Sequence, residues 1–273
     1  MENLKANVNE ILIEPLKDPE LAKRDEVEYG IEMPRGELLY GASGVGKTYF
    51  AEAIAQETGL PMFKFKVSRI GSQFVNGSAN NLQTAYDYVK EYAKDKPAPV
   101  LIFVDEMESL AAKRDVSGKQ AEQNKLVGTL LQILDDARSD NIVIIGATNY
   151  RDMIDPAVLS RIDNEDYIPV PDDDTRRAVL SMELGKSTSC QPLKDNPEEL
   201  EKVVKMTKYF ANREIVQMAH DAARIARRDN RRPIIAEDFE APVKKYADKR
   251  ITNEDIYRGK NARRSIGFNT DKQ

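Results

Sequence analysis

Gly41-Ala42-Ser43-Gly44-Val45-Gly46-Lys47-Thr48 is the stretch on which the reading of this chain turns, and it fits the pattern G-x-x-x-x-G-K-[ST] without a mismatch. Before it, Gly36-Glu-Leu-Leu-Tyr40 reads as a short buried strand. After it, Tyr49-Phe-Ala-Glu-Ala-Ile-Ala-Gln-Glu reads as a helix, so the glycines fall at a strand-to-helix turn. Glycines let the backbone bend until several N–H groups point at one phosphate, and the helix adds the positive end of its dipole there. Gly41, Ala42, Ser43, Gly44, Val45 and Gly46 are therefore expected to cradle a nucleotide. Lys47 would neutralise its outer phosphates, and the Thr48 hydroxyl would hold Mg²⁺.

Working outward, Val100-Leu-Ile-Phe-Val-Asp105-Glu106 is a continuous apolar run ending in two acids, the pattern of a central strand of a parallel sheet buried on both faces. Acids at the carboxyl end of such a strand sit where α/β sheets bind ligands. Asp105 is expected in the Mg²⁺ shell, and Glu106 is expected to orient and deprotonate an attacking water. Asn141-Ile-Val-Ile-Ile-Gly-Ala-Thr148-Asn149 is a second such strand. Two readings stand for Asn149, a contact to the γ-phosphate and the water, or a polar strand-end turn.

The flanks are less decisive. Residues 3–14 carry apolar residues at helical spacing, and Pro15 is expected to end that helix. Tyr29-Gly30-Ile31-Glu-Met-Pro34-Arg-Gly36 is a turn-rich linker, either wrapping an adenine base through Gly30 and Ile31 or only connecting. Met62 to Val67 alternates as a strand and leads into a polar loop bearing Phe74, Val75 and Asn76. Residues 79–94 read as a helix, 113–123 as an exposed loop, and 126–134 as a helix with a broad apolar face. Further helices are expected over 175–184, 198–207 and 212–228.

Composition narrows the classes. The chain has 273 residues, 41% hydrophobic and 32% charged, with a net charge of −5, so it can bury a core and is a poor general nucleic-acid binder. One cysteine, Cys190, excludes an intrachain disulfide, and one histidine, His220, excludes an H-E-x-x-H zinc helix. No apolar run suits a membrane span and no secretory leader is legible, so a soluble, cytoplasmic protein is expected.

Taken together, these segments resemble the AAA+ family, and within it the classical AAA clade of ring ATPases. The resemblance rests on Tyr29 to Gly41, the phosphate loop, Ile102-Phe-Val-Asp-Glu-Met-Glu-Ser-Leu110, Ile145-Gly-Ala-Thr-Asn149, and Ile154-Asp-Pro-Ala-Val-Leu-Ser-Arg161 followed by Tyr167 to Asp172. It implies a P-loop α/β fold: a parallel sheet between helices over 1–172, a small all-α lid over 173–250, and a polar tail over 251–273. It implies that Asn149 is a sensor residue, that Arg161 is an arginine finger serving a neighbouring subunit, and that Phe74-Val75-Asn76 is a pore loop gripping polypeptide. Phe210-Ala-Asn-Arg213 resembles the start of a second sensor helix, so Arg213 is either a γ-phosphate contact or a surface arginine. The implied activity is Mg²⁺-dependent ATP hydrolysis by a homo-oligomeric, hexameric ring that remodels or translocates proteins, with an adaptor as a further partner. The rival classes are a nucleotide-switched scaffold and a motor on nucleic acid. The chain departs from the clade in Ala42, Ser43 and Val45 within the loop, in Ser160 where a first finger arginine often stands, and in Asn76 in place of a glycine.

Overall fold

A computed structural model describes residues 2–67, 77–114, 121–230 and 232–251. It divides into two compact units, one of residues 1–41 and 47–168, the other of 42–46 and 169–273.

The first unit is built on a five-stranded sheet, β1 (Gly36–Tyr40), β2 (Met62–Phe65), β3 (Val100–Val104), β4 (Ile142–Thr148) and β5 (Asn164–Tyr167). The strands are all parallel, in the order β2-β3-β4-β1-β5. Every residue of β1, β3 and β4 is buried, as expected for strands covered on both faces. On one face Leu38, Val100, Ile102, Val104, Ile142 and Ile144 pack with α5 (Gly77–Ala93) and α6 (Ala121–Asp136), through side chains such as Leu82, Val89, Val127 and Leu130. Each such burial is worth about 1.5–3 kcal/mol. The order places β3, β4 and β1 side by side, so the chain segments leaving their carboxyl ends are neighbours.

Two features of this unit differ from the sequence expectation. The N-terminal helix does not stop at Pro15: α1 (Glu2–Val8) runs through a wide π-turn over Asn9–Ile13 into α2 (Glu14–Lys17). The wide turn is closed by Glu14 N–H on Asn9 O, and Pro15, lacking an N–H, sits in the first turn of α2 where no donor is needed. Asp18 then caps α3 (Pro19–Tyr29), accepting from the N–H groups of Glu20 and Leu21. The second difference is β5, which sequence reading did not expect because Asn-Glu-Asp-Tyr carries no apolar alternation.

Within β1 and β5 lies an unusual pair. Glu37 and Asp166 are 1% and 2% exposed, and Asn7 of α1 donates to the Asp166 carboxylate at 3.3 Å. Burial, and then the neighbouring Asp166, push the Glu37 carboxyl well above its ordinary pKa. Glu37 Oε1 has no hydrogen-bond partner among the described residues.

The second unit is helical: α8 (Asp173–Leu184), α9 (Gln191–Lys194), α10 (Pro197–Met206), α11 (Asn212–Arg228) and α12 (Glu240–Lys245). Leu180, Leu184, Val203, Phe210, Ile215, Met218 and Phe239 form its core. Capping fixes the helix starts: Asp172 accepts from Thr175 N–H ahead of α8, and Asn196 accepts from Glu199 N–H ahead of α10. The buried Arg176 is satisfied by the carbonyls of Val204 and Pro171 at 3.1 and 2.8 Å. No helix among the described residues is long and apolar enough to cross a membrane.

Candidate functional site

Three adjacent strand ends supply the polar groups of the first unit. After β1, Gly41 takes a φ of 152°, and a side chain there would collide with the carbonyl of Ile168. Only glycine fits this exit. Lys47 opens α4 (Lys47–Thr58) and is 7% exposed. Its ammonium donates to Gly41 O at 2.9 Å and to Asn149 Oδ1, just past β4, at 2.7 Å. A buried ammonium needs such oxygens, and a phosphate could take over from the neutral amide. The Thr48 hydroxyl donates to Asp105 Oδ2, just past β3, at 3.2 Å. The structure thus brings Lys47, Thr48, Asp105 and Asn149 together.

Glu106 follows Asp105 in a left-handed backbone, φ 52°, with its N–H donating to Asp105 Oδ1 at 3.0 Å. A non-glycine residue held there costs on the order of 1–3 kcal/mol, a conformation that persists where the surroundings over-determine it. Both carboxylates are exposed, and among the described residues neither pairs with a lysine or arginine. Hard oxygen donors from Thr48 and Asp105 at this spacing suit Mg²⁺.

Arg161 stands apart from this cluster in its own subunit. It follows α7 (Pro156–Leu159), which Asp155 caps by accepting from Ala157 N–H at 2.9 Å. Its guanidinium donates to Asp135 at 2.8 Å and to Ala157 O at 3.1 Å, and to none of Lys47, Thr48, Asp105, Glu106 or Asn149. Gly30 closes α3 in a left-handed cap, φ 70°, and Ile31 beyond it is 60% exposed. Phe74, Val75 and Asn76 lie outside the described residues.

In the second unit, the loop tip of Ala42, Ser43, Gly44, Val45 and Gly46 contacts the first turn of α11. Arg213 N–H donates to Gly44 O at 3.1 Å, and its guanidinium reaches Ser43 Oγ at 3.4 Å. Asn212 Nδ2 donates to Val45 O at 2.7 Å, while Asn212 Oδ1 is buried without a partner among the described residues. Gly44 has φ 79°, and a side chain on it would meet Arg213 Cβ at 3.0 Å.

Residues 37–170 match the model of the ATPase family associated with various cellular activities (AAA). The chain is 33% identical over 256 residues to a proteasome-activating nucleotidase of Methanocaldococcus jannaschii, covering 92% of this chain and 56% of that protein. It is 34% identical over 253 residues to a cell division cycle protein 48 homolog of Archaeoglobus fulgidus, covering 91% of this chain and 32% of that protein. A proteasome-activating nucleotidase of Saccharolobus solfataricus is 32% identical, with 89% and 60% covered. The chain belongs to the AAA family of ATPases. It spans about three-fifths or less of the length of these curated relatives.

Against the AAA pattern, Asn212 is the residue that sequence reading passed over. An asparagine at a helix start reads as a cap, yet the capping position falls on Ala211 and the Asn212 amide bonds the loop instead. Of the exposed loop expected over 113–123, residues 121–123 belong instead to α6, which begins at Ala121, and residues 115–120 lie outside the described residues.

Proposed function

We propose that this AAA protein hydrolyses ATP with Mg²⁺ in a homo-oligomeric, hexameric ring and uses the energy to remodel or translocate protein substrates, with domains over 1–172 and 173–250. One observation supports it above the rest: β3, β4 and β1 lie side by side and deliver Asp105 with Glu106, Asn149, and Lys47 with Thr48 to one place. The loop amides and Lys47 hold the β- and γ-phosphates, with Asn149 released from Lys47 to face the γ-phosphate. Thr48 and Asp105 would hold Mg²⁺, which would supply charge neutralisation at the phosphates. Glu106, unpaired with any cation among the described residues, accepts the proton of the attacking water. Arg161 reaches the transferring phosphoryl group of the next subunit, and Arg213 contacts the γ-phosphate from the lid. Gly30 and Ile31 flank the adenine. Phe74, Val75 and Asn76 face the polypeptide, and an adaptor is a further partner.

The test is Mg²⁺-dependent phosphate release by the native chain beside Glu106→Gln. The variant is expected to keep nucleotide binding, to accumulate rings under ATP, and to lose about 10²- to 10⁴-fold in kcat. Equal, near-zero rates in both would contradict hydrolysis and favour a nucleotide-switched scaffold.

A further inference from the structure

Two buried carboxyls of the first unit take no part in the phosphate site. Glu37 of β1 and Asp166 of β5 meet through their side chains across neighbouring strands. The charged groups facing Glu37 among the described residues are acids: Asp166 and Glu165 of β5, and Asp163 just ahead of it. Glu165 is matched by Arg151 at 2.9 Å, and Asp163 by Arg35 at 3.1 Å and Arg138 at 3.9 Å. On the other side, β4 sets the apolar Ile145 opposite Glu37. From α1, Asn7 Nδ2 lies 3.3 and 3.5 Å from the two Asp166 carboxylate oxygens. Two adjacent carboxyls out of water do not both ionise, so the pair keeps a proton, which the Glu37 hydroxyl donates to Asp166.

The elements around the pair are unequally held. β1 is fixed between β4 and β5, whereas β5 is four residues long and stands at the edge of the sheet. Along residues 4–8 of α1, Val8 alone is fully buried, while Leu12, Ile13 and Leu16 anchor the turn and helix that follow. The hold on α1 therefore depends heavily on the Asn7 amide, and a bond to an ionised carboxylate is stronger than one between neutral groups.

We propose that the proton shared by Glu37 and Asp166 latches the N-terminal helix: with it in place Asn7 holds α1 against β5, and its loss frees α1 and β5 together. Without the proton, two buried carboxylates stand side by side. They are relieved by water entering at the sheet edge, where β5 parts from β1 and carries the Asn7 acceptor away. In the opened form Glu37 titrates near the ordinary value of about 4.3, and in the closed form above it. Between those two values opening releases one proton, so it is favoured up to about tenfold more for each unit of rising pH. An edge strand and one short helix open locally at less cost than the whole unit.

The experiment is amide hydrogen exchange of the full chain from about pH 5 to pH 8, corrected for the intrinsic exchange rate, for the native protein, Glu37→Gln and Asn7→Ala. In the native protein, protection of α1 and of β5 is expected to fall together, by up to about tenfold per pH unit. Glu37→Gln, whose amide can donate to Asp166 at every pH, is expected to show a flat profile. Asn7→Ala is expected to lower α1 protection by about 2- to 10-fold at pH 5. Protection of α1 and β5 that does not change with pH in the native protein would overturn the latch, even if β3 and β4 lose theirs through global unfolding. A native slope in Glu37→Gln, or native α1 protection in Asn7→Ala, would overturn it as well. Thermal melting verifies folding of each variant. If Glu37→Gln does not fold, the double variant Glu37→Val/Asp166→Val, which carries neither carboxyl, takes its place with the same flat profile expected.

Discussion

The sheet unit, unlike the helical unit, buries one acid against another, although its buried Asp155 is paired with Arg114 at 2.8 Å. Among the described residues of the helical unit, each buried carboxylate has a cation. Glu183 meets Lys186 at 2.6 Å and His220 at 2.8 Å, Asp221 meets Lys245 at 2.7 Å, and Asp238 is held by both ends of the Arg232 fork. Burial pulls the pKa of Asp238 upward, but the Arg232 hydrogen bonds outweigh it and the net shift is downward. In the sheet unit, Glu37 is buried against another acid and its pKa rises, while Asp105 and Glu106 stand exposed at a strand end with no cationic side chain paired to them among the described residues. The sheet unit holds one acid pair under its N-terminal helix and presents another to whatever cation arrives.

Glu37 gives the larger test of this contrast. Below the ordinary glutamate pKa of about 4.3, both folded and unfolded chains are protonated and the group is silent. As pH rises, the unfolded chain releases its proton while the folded chain keeps it, so stability falls until the raised folded pKa is passed. Chemical unfolding from about pH 5 to pH 8 is expected to show that decline in the native chain, and Glu37→Gln to flatten it and gain about 1–3 kcal/mol at the upper end. A slope unchanged in the variant would mean that the pair carries no such cost.

Asp238 gives the smaller and opposite effect. Its folded pKa is depressed, so its contribution is present above the ordinary aspartate value of about 3.9 and is lost as pH falls through the folded value. Asp238→Asn is expected to cost about 1 kcal/mol near pH 7, discounted because the Arg232 side chain is 34% exposed. The gap between native and variant melting is expected to close in strong acid. A gap that persists there would point to packing instead of charge.

How much of this was legible in the sequence depended on whether a residue's role was local. β1, β3 and β4 were readable because strands buried on both faces must be apolar throughout, and the phosphate loop because its turn requires glycine at Gly41 and Gly44. Asp105 and Asn149 were readable as polar residues ending apolar runs, but their bonds to Thr48 and Lys47 depend on strand order, which pattern alone does not give. β5 was missed because its four residues are polar and one of them, Asp166, is buried against Glu37 rather than against apolar neighbours. Pro15 was misread because the rule that proline ends a helix assumes regular turns, and the π-turn ahead of it removes the clash. Asn212 left no local signal, since its amide bonds a partner distant in sequence, Val45.

The central claim, that Lys47 and the loop around it grip a triphosphate beside Thr48 and Asp105, is tested most directly by calorimetric titration of the native chain and Lys47→Ala with Mg·ATP. The account predicts a saturable heat for the native chain, weakened when Mg²⁺ is chelated, and no measurable binding by Lys47→Ala. An identical isotherm for the two proteins, or none for the native chain, would contradict it.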